Sequence, residues 1–148
     1  MTADRANGAA GLYREELLRH AKAPAGAATV GRDEAGCVRK VNPACGDEVR
    51  LRLVRDGAGR IARVEHQTRG CAVCVASASM LAEAAAAHGG WTAEEAAARA
   101  ESFFGRLEAG AFGEEDGALQ ALNGLAKFPA RLACARLAWE ALLEAAGR

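Results

Sequence analysis

The chain has 148 residues, with Lys+Arg and Asp+Glu balanced at 19 each. That length can bury a core without staples, and the zero net charge argues against a nucleic acid or an anionic membrane as partner. Aromatic residues at 5% are too few for a base-stacking surface, while 51% hydrophobic and 26% charged residues are ordinary for a soluble globular chain.

No basic run followed by an apolar segment opens the sequence, so no secretory signal is apparent. The alanine-rich run around Ala76 to Ala87 is interrupted by Glu83 and closes at His88-Gly89-Gly90, too broken to span a bilayer. A cytoplasmic protein is expected. In a reducing compartment its five cysteines favour metal binding or thiol chemistry over a disulfide framework.

Residues 1–11 are small and polar and read as a flexible N-terminus, leaving 12–148 as a single domain. Leu12 to Lys22 predicts a short amphipathic helix ended by Pro24 and Gly26, with His20 in its last turn as a cation at the negative end of the helix dipole. After a loop over 23–35, Gly36 to Val41 predicts a strand that carries Cys37. Glu48 to Arg55 alternates, with Val49, Leu51 and Leu53 on one face and Arg50 and Arg52 on the other. Asp56 to Gly59 is a turn, and Arg60 to Thr68 returns with Ala62, Val64 and His66 on one face. Cys71 to His88 predicts a helix. Thr92-Ala93-Glu94-Glu95 is a capping box opening another helix, which runs to about Gly110. A loop over 111–117, a helical piece from Ala118 to Leu125 and a lead-in segment Lys127-Phe128-Pro129-Ala130-Arg131 precede the last helix. That helix runs to about Ala146 and packs on the sheet through Leu132, Leu137, Trp139 and Leu143. The expected fold class is α+β: a small antiparallel three-stranded sheet with helices packed on one face.

The chemistry concentrates at Val41-Asn42-Pro43-Ala44-Cys45-Gly46-Asp47. Pro43 fixes its own φ and extends Asn42, and Gly46 permits a sharp bend between Cys45 and Asp47. A tight turn there brings a thiolate and a carboxylate to one side. Cys71, where the last strand meets a helix, and Cys134, early in the final helix, also lie at element ends and can join them. Three thiolates and a carboxylate suit tetrahedral Zn²⁺, with the carboxylate as the more exchangeable edge. The same thiolates with a fourth donor suit a [2Fe–2S] cluster. Scattered cysteines can equally be small buried hydrophobes.

Three motifs carry a resemblance. Asn42-Pro43-Ala44-Cys45-Gly46-Asp47, Gly70-Cys71 followed by Ala76-Ser77-Ala78-Ser79-Met80, and Lys127-Phe128-Pro129-Ala130-Arg131 with Cys134 and Leu137-Ala138-Trp139 resemble the IscU/NifU-N family of iron–sulfur assembly proteins, most closely its SufU branch. Leu12-Tyr13-Arg14 with His20 and Lys22 is similar to that branch's first helix, and the long segment between Cys71 and Cys134 agrees. The resemblance implies a SufE/NifU-like fold and a zinc site of Cys45, Asp47, Cys71 and Cys134. It also implies sulfur transfer from a SufS-type, PLP-dependent cysteine desulfurase, and downstream iron–sulfur assembly proteins as further partners. In that branch a desulfurase histidine takes over a zinc position and frees the cysteine matching Cys45 to accept persulfide sulfur. Arg131 matches an arginine beside the site that contacts the partner or orients the carboxylate. The alternative within the family is a [2Fe–2S] scaffold on the same cysteines.

Two positions depart from the pattern. Ala133 stands where IscU has a histidine and SufU proteins usually a lysine, and Cys74 replaces the usual serine, creating Cys71-x-x-Cys74. Cys74 is read as buried rather than as half of a redox pair. Cys37 is read as structural, and His66 and His88 as unnecessary for ligation.

Overall fold

The computed structural model describes residues 14–87 and 89–147. The expected flexible N-terminus, the Leu12-Tyr13 start of the first helix and His88 lie outside the described residues. Residues 14–22 form helix α1. Three antiparallel strands follow in the order β1-β2-β3: Val38–Val41, Glu48–Arg55 and Ile61–Arg69. The register pairs Val38 with Leu51 and Val41 with Glu48, then Glu48 with Arg69 and Leu53 with Val64. Alternation along β2 sends Val49 and Leu51 fully inward. The opposite face is polar, where Arg52 bridges Glu34 and Glu65 at 2.9 and 2.8 Å.

The apolar face is covered by α2 (Ala72–Ala87), which packs on β3, and by α4 (Pro129–Ala146), which packs on β1 and β2. Helix α3 (Ala93–Ala109) lies against α4. The class is α+β, as the strand and helix patterns imply. Helix α2 buries residues around most of its circumference, and its small side chains let α4 approach closely. At that interface the buried Ser77 hydroxyl donates to the Ala135 carbonyl at 2.6 Å. The capping box forms as read: the Thr92 side chain accepts from Glu95 N–H, and Glu95 accepts from Thr92 N–H. Trp91, just before it, exchanges two backbone hydrogen bonds with Ile61 at 2.7 and 2.9 Å, fixing the start of α3 to the sheet.

Several expectations need correction. Trp139 is buried as expected, but its ring stacks on Phe103 of α3, with centroids 4.3 Å apart, so it joins α4 to α3. Residues Glu114–Lys127 form a 3-10 segment kinked at Gly117, longer than the helical piece expected from Ala118. Helix α4 begins at Pro129, because a proline in the first turn forfeits no helical hydrogen bond. Cys37 precedes β1 instead of lying in it, and its thiol donates to the Glu34 carbonyl at 3.0 Å. His20 lies in the last turn of α1 as expected, but its surroundings do not favour the cation. It is buried, with Nδ1 2.6 Å from Ser79 Oγ on α2, and burial pushes its pKa down. The helix pattern placed His20 correctly along the chain but could not show that α2 covers that turn.

Candidate metal centre

The connection between β1 and β2 is closed by its own backbone. Asn42 N–H donates to the Asp47 carbonyl at 2.8 Å, and Gly46 N–H donates to the Asn42 carbonyl at 2.7 Å. The Asn42 side chain accepts from Ala44 N–H at 3.1 Å, a local Asx turn that stiffens the loop. Gly46 takes φ +79°, which a residue with a Cβ would resist. This geometry leaves Cys45 exposed at the tip and Asp47 buried at the threshold of β2.

Two other elements converge on the loop. Cys71 caps α2, its carbonyl accepting the Val75 N–H at 3.1 Å, and its own N–H reaches Asp47 Oδ2 at 3.4 Å. Cys134 lies near the start of α4 and is buried. Cys45, Asp47 and Cys134 each bring one donor atom to within 4.8 Å of the others. The Cys45 and Cys134 sulfurs are 4.0 Å apart. Cys71 stands at the margin of this group: it is near enough to raise the Cys134 thiol, but its sulfur is outside the mutual 4.8 Å cluster.

Asp47 owes its position to Gly70. A Cβ built on Gly70 would lie 2.6 Å from Asp47 Cγ and under 3.0 Å from both carboxylate oxygens. Only a residue without a side chain lets the carboxylate close over the turn into Cys71. The spacing Gly70-Cys71 was visible in the sequence, but the reason for the glycine was not.

The electrostatics fit a cation. Burial, a hydrogen bond to Asp47 and the neighbouring Cys71 together push the Cys134 thiol far above its ordinary range. Anionic donors crowded at one buried point disfavour each other's ionisation, and a bound cation reverses that order. Two thiols and a carboxylate, with a third thiol alongside, are the mixed soft and hard donors that suit zinc; the thiols alone suit iron–sulfur chemistry.

The remaining candidates fall outside. Cys74 is buried in the core, and burial followed by the charges of Asp47, Cys71 and Cys45 raises its thiol to about 12, consistent with a packing role. Buried His66 donates from Nε2 to the Ala25 carbonyl at 2.8 Å while Nδ1 accepts from Thr68, so neither nitrogen is spare. Arg131 is exposed in the first turn of α4 and, among the described residues, forms no ion pair with Asp47. Ala133 offers no donor beside Cys134.

Known proteins agree with this frame. Residues 12–148 match the NifU-like N terminal domain. The chain is 32% identical over 133 residues to the zinc-dependent sulfurtransferase SufU of Bacillus subtilis (strain 168), covering 88% of this chain and 86% of that protein. It is 34% identical over 143 residues to the iron–sulfur cluster assembly scaffold protein IscU of Streptococcus pyogenes serotype M1, covering 93% and 84%. Its fold is similar to the crystal structure of a putative iron–sulfur cluster assembly scaffold protein for the SUF system from Fervidobacterium islandicum AW-1, with a TM-score of 0.68, 25% identity and coverage of 89% and 94%. With the motifs, the sheet topology and the convergent cysteine loop in agreement, the chain belongs to the NifU-like N-terminal domain family of iron–sulfur cluster assembly proteins.

Proposed function

We propose that this protein is a zinc-dependent sulfur acceptor that takes persulfide sulfur from a SufS-type cysteine desulfurase and passes it on to iron–sulfur cluster assembly. The observation that carries this reading is the asymmetry of the centre. Cys45 is exposed on a stiff loop, whereas Asp47 and Cys134 behind it are buried. One thiol is presented to a partner while the others stay anchored.

Cys45, Asp47, Cys71 and Cys134 would hold the zinc. When bound, the ion keeps the thiols ionised at neutral pH and masks them as nucleophiles. Asp47 is the harder donor of the set, and Gly70 leaves room for it. For transfer, the Cys45 thiolate attacks the outer sulfur of the partner's persulfide. A sulfur–sulfur bond forms on Cys45, the partner's breaks, and its cysteine leaves as a thiolate with no net oxidation. The access of Cys45 to solvent, and not its chemistry alone, makes it the accepting residue. Arg131, exposed and unpaired with Asp47, is assigned to contact with the desulfurase.

The experiment is metal analysis of protein purified without added metal, paired with desulfurase turnover in its presence and absence. The expected result is stoichiometric zinc and stimulation that Cys45→Ser abolishes while the fold persists. Stimulation that survives Cys45→Ser would overturn the assignment.

A second reading, assembly of a [2Fe–2S] cluster on the same residues, is favoured by the 4.0 Å approach of Cys45 and Cys134 with Cys71 alongside. It is separated by colour and composition: iron with acid-labile sulfide in place of zinc, and little stimulation of the desulfurase.

A further inference from the structure

The thiol that the metal centre leaves unused is Cys74. It is 1% exposed and stands outside the group formed by Cys45, Asp47 and Cys134. It is nonetheless one turn from Cys71 on the same helix. Helix α2 begins at Ala72, and the Cys71 carbonyl accepts the Val75 N–H at 3.1 Å, so Cys71 is the N-cap and Cys74 the third helical residue. Those two positions face each other across the first turn of a helix. At the start of α3 the same two positions are held by Thr92 and Glu95, which bond to each other reciprocally. A rise of ~1.5 Å per residue on a radius of ~2.3 Å puts residues three apart ~5 Å from Cα to Cα. Disulfides span ~4.4–6.8 Å. A bond between Cys71 and Cys74 therefore needs no helix to move.

The two thiols differ in what can reach them. Cys71 is partly exposed, whereas Cys74 is packed in the core. The charges of Asp47, Cys71 and Cys45 all act on the Cys74 thiol, so it lies within electrostatic reach of the centre. Its buried place suits packing while both thiols are reduced and does not separate it from Cys71. One thiol is open to a small oxidant and a second stands behind it, the arrangement of an attacked and a resolving cysteine.

We propose that Cys71 and Cys74 form a reversible disulfide when the centre is empty and a peroxide is present. The Cys71 thiolate attacks one peroxide oxygen, the oxygen–oxygen bond breaks, hydroxide leaves and Cys71 becomes a sulfenic acid. The Cys74 sulfur then attacks the Cys71 sulfur. The sulfur–sulfur bond forms, the sulfur–oxygen bond breaks, and the departing hydroxide takes the Cys74 proton and leaves as water. The two thiols together give up one electron pair, and the peroxide is reduced to water. The bond protects Cys71 from further oxidation and withdraws it from the donor set until a thiol reduces it. That withdrawal rests on the reading of Cys71 as a zinc ligand; the disulfide itself does not.

Trypsin releases both cysteines in a single peptide, residues 70–99, which holds no third cysteine. Metal-free protein is treated with hydrogen peroxide, alkylated in urea, digested and weighed, with and without reduction by dithiothreitol before alkylation. The expected result is a peptide that carries no alkyl group, is two hydrogens lighter than the dithiol, and regains both alkylation sites after dithiothreitol. In Cys74→Ser, a nearly isosteric change, Cys71 should instead go on to sulfinic acid, which dithiothreitol does not reverse. Zinc added before the peroxide should prevent the bond in the unaltered chain. A disulfide that forms equally well with zinc bound supports the pair and overturns the reading of Cys71 as a ligand. The proposal itself is overturned if Cys74 stays free to alkylate, if Cys71 joins Cys45 or Cys134 instead, or if Cys71 of the unaltered chain ends as sulfinic acid.

Discussion

At the scale of single residues, the centre depends as much on what is missing at Gly70 as on what Asp47 supplies. The carboxylate lies against the Gly70 backbone, where a methyl group would sit 2.6 Å from its carbon. Asp47 cannot retreat along the chain, because its carbonyl is held by Asn42 N–H at 2.8 Å. Its side chain must instead rotate away from Cys134. Gly70→Ala is therefore expected to fold but to bind the proposed zinc about tenfold more weakly, within the usual range for losing a supporting contact to a metal ligand. Competition against a chromogenic chelator measures this, and unchanged affinity would sink the positional argument. Such a residue is invisible in one sequence, since a glycine before a cysteine has no local signature of the carboxylate it accommodates. The Cys45–Asp47 loop was legible for the opposite reason: Pro43 and Gly46 act on their immediate neighbours.

At the scale of elements, legibility followed the range of the interactions. Alternation in β2 and the Thr92–Glu95 box are local, and both formed as read. The register that sends α4 across β1 and β2 is not local, and neither is the burial of His20 beneath α2. Convergence of Cys71 and Cys134 on the loop could be inferred from family motifs but not from spacing. What holds that convergence is the α2–α4 interface, where Ser77 bonds to Ala135, the neighbour of Cys134. Ser77→Ala deletes one buried hydrogen bond, worth about 1 kcal/mol, or ~2–4 °C in Tm for a domain of this size. Ser77→Val deletes the same bond and adds bulk where small side chains let the helices meet, for a total of roughly 2–4 kcal/mol. Calorimetry of both variants tests the account: equal losses would mean that the interface is not closely packed at Ser77.

At the scale of the whole molecule, the N-terminal segment is fastened to the rest by two buried histidines. His20 joins α1 to α2 through Ser79, which also accepts Ala25 N–H at 2.8 Å. His66 accepts Ala28 N–H at its carbonyl, donates its own N–H to Gly26, and holds the Ala25 carbonyl with its ring. Burial lowers both pKa values from the ordinary 6.5; for His20, Glu83 and Glu16 offset part of that, while Arg19 adds to it. The sign follows from proton counting. Between pH 6.5 and the lowered native values, the unfolded chain holds protons on these rings that the folded chain does not, so stability falls as pH falls. Each histidine contributes at most about 1.4 kcal/mol per pH unit within that window. His66→Gln should lower stability at pH 8, where the ring's hydrogen bonds are lost, yet flatten the dependence below pH 6.5 by up to one proton. Urea unfolding of both chains without metal, from pH 8 to pH 5, separates this contribution from release of metal by acid. Parallel lines for the two chains would show that His66 is not a source of acid sensitivity; convergence towards low pH is the expected result, with α1 and the following loop as the part of the fold that acid loosens.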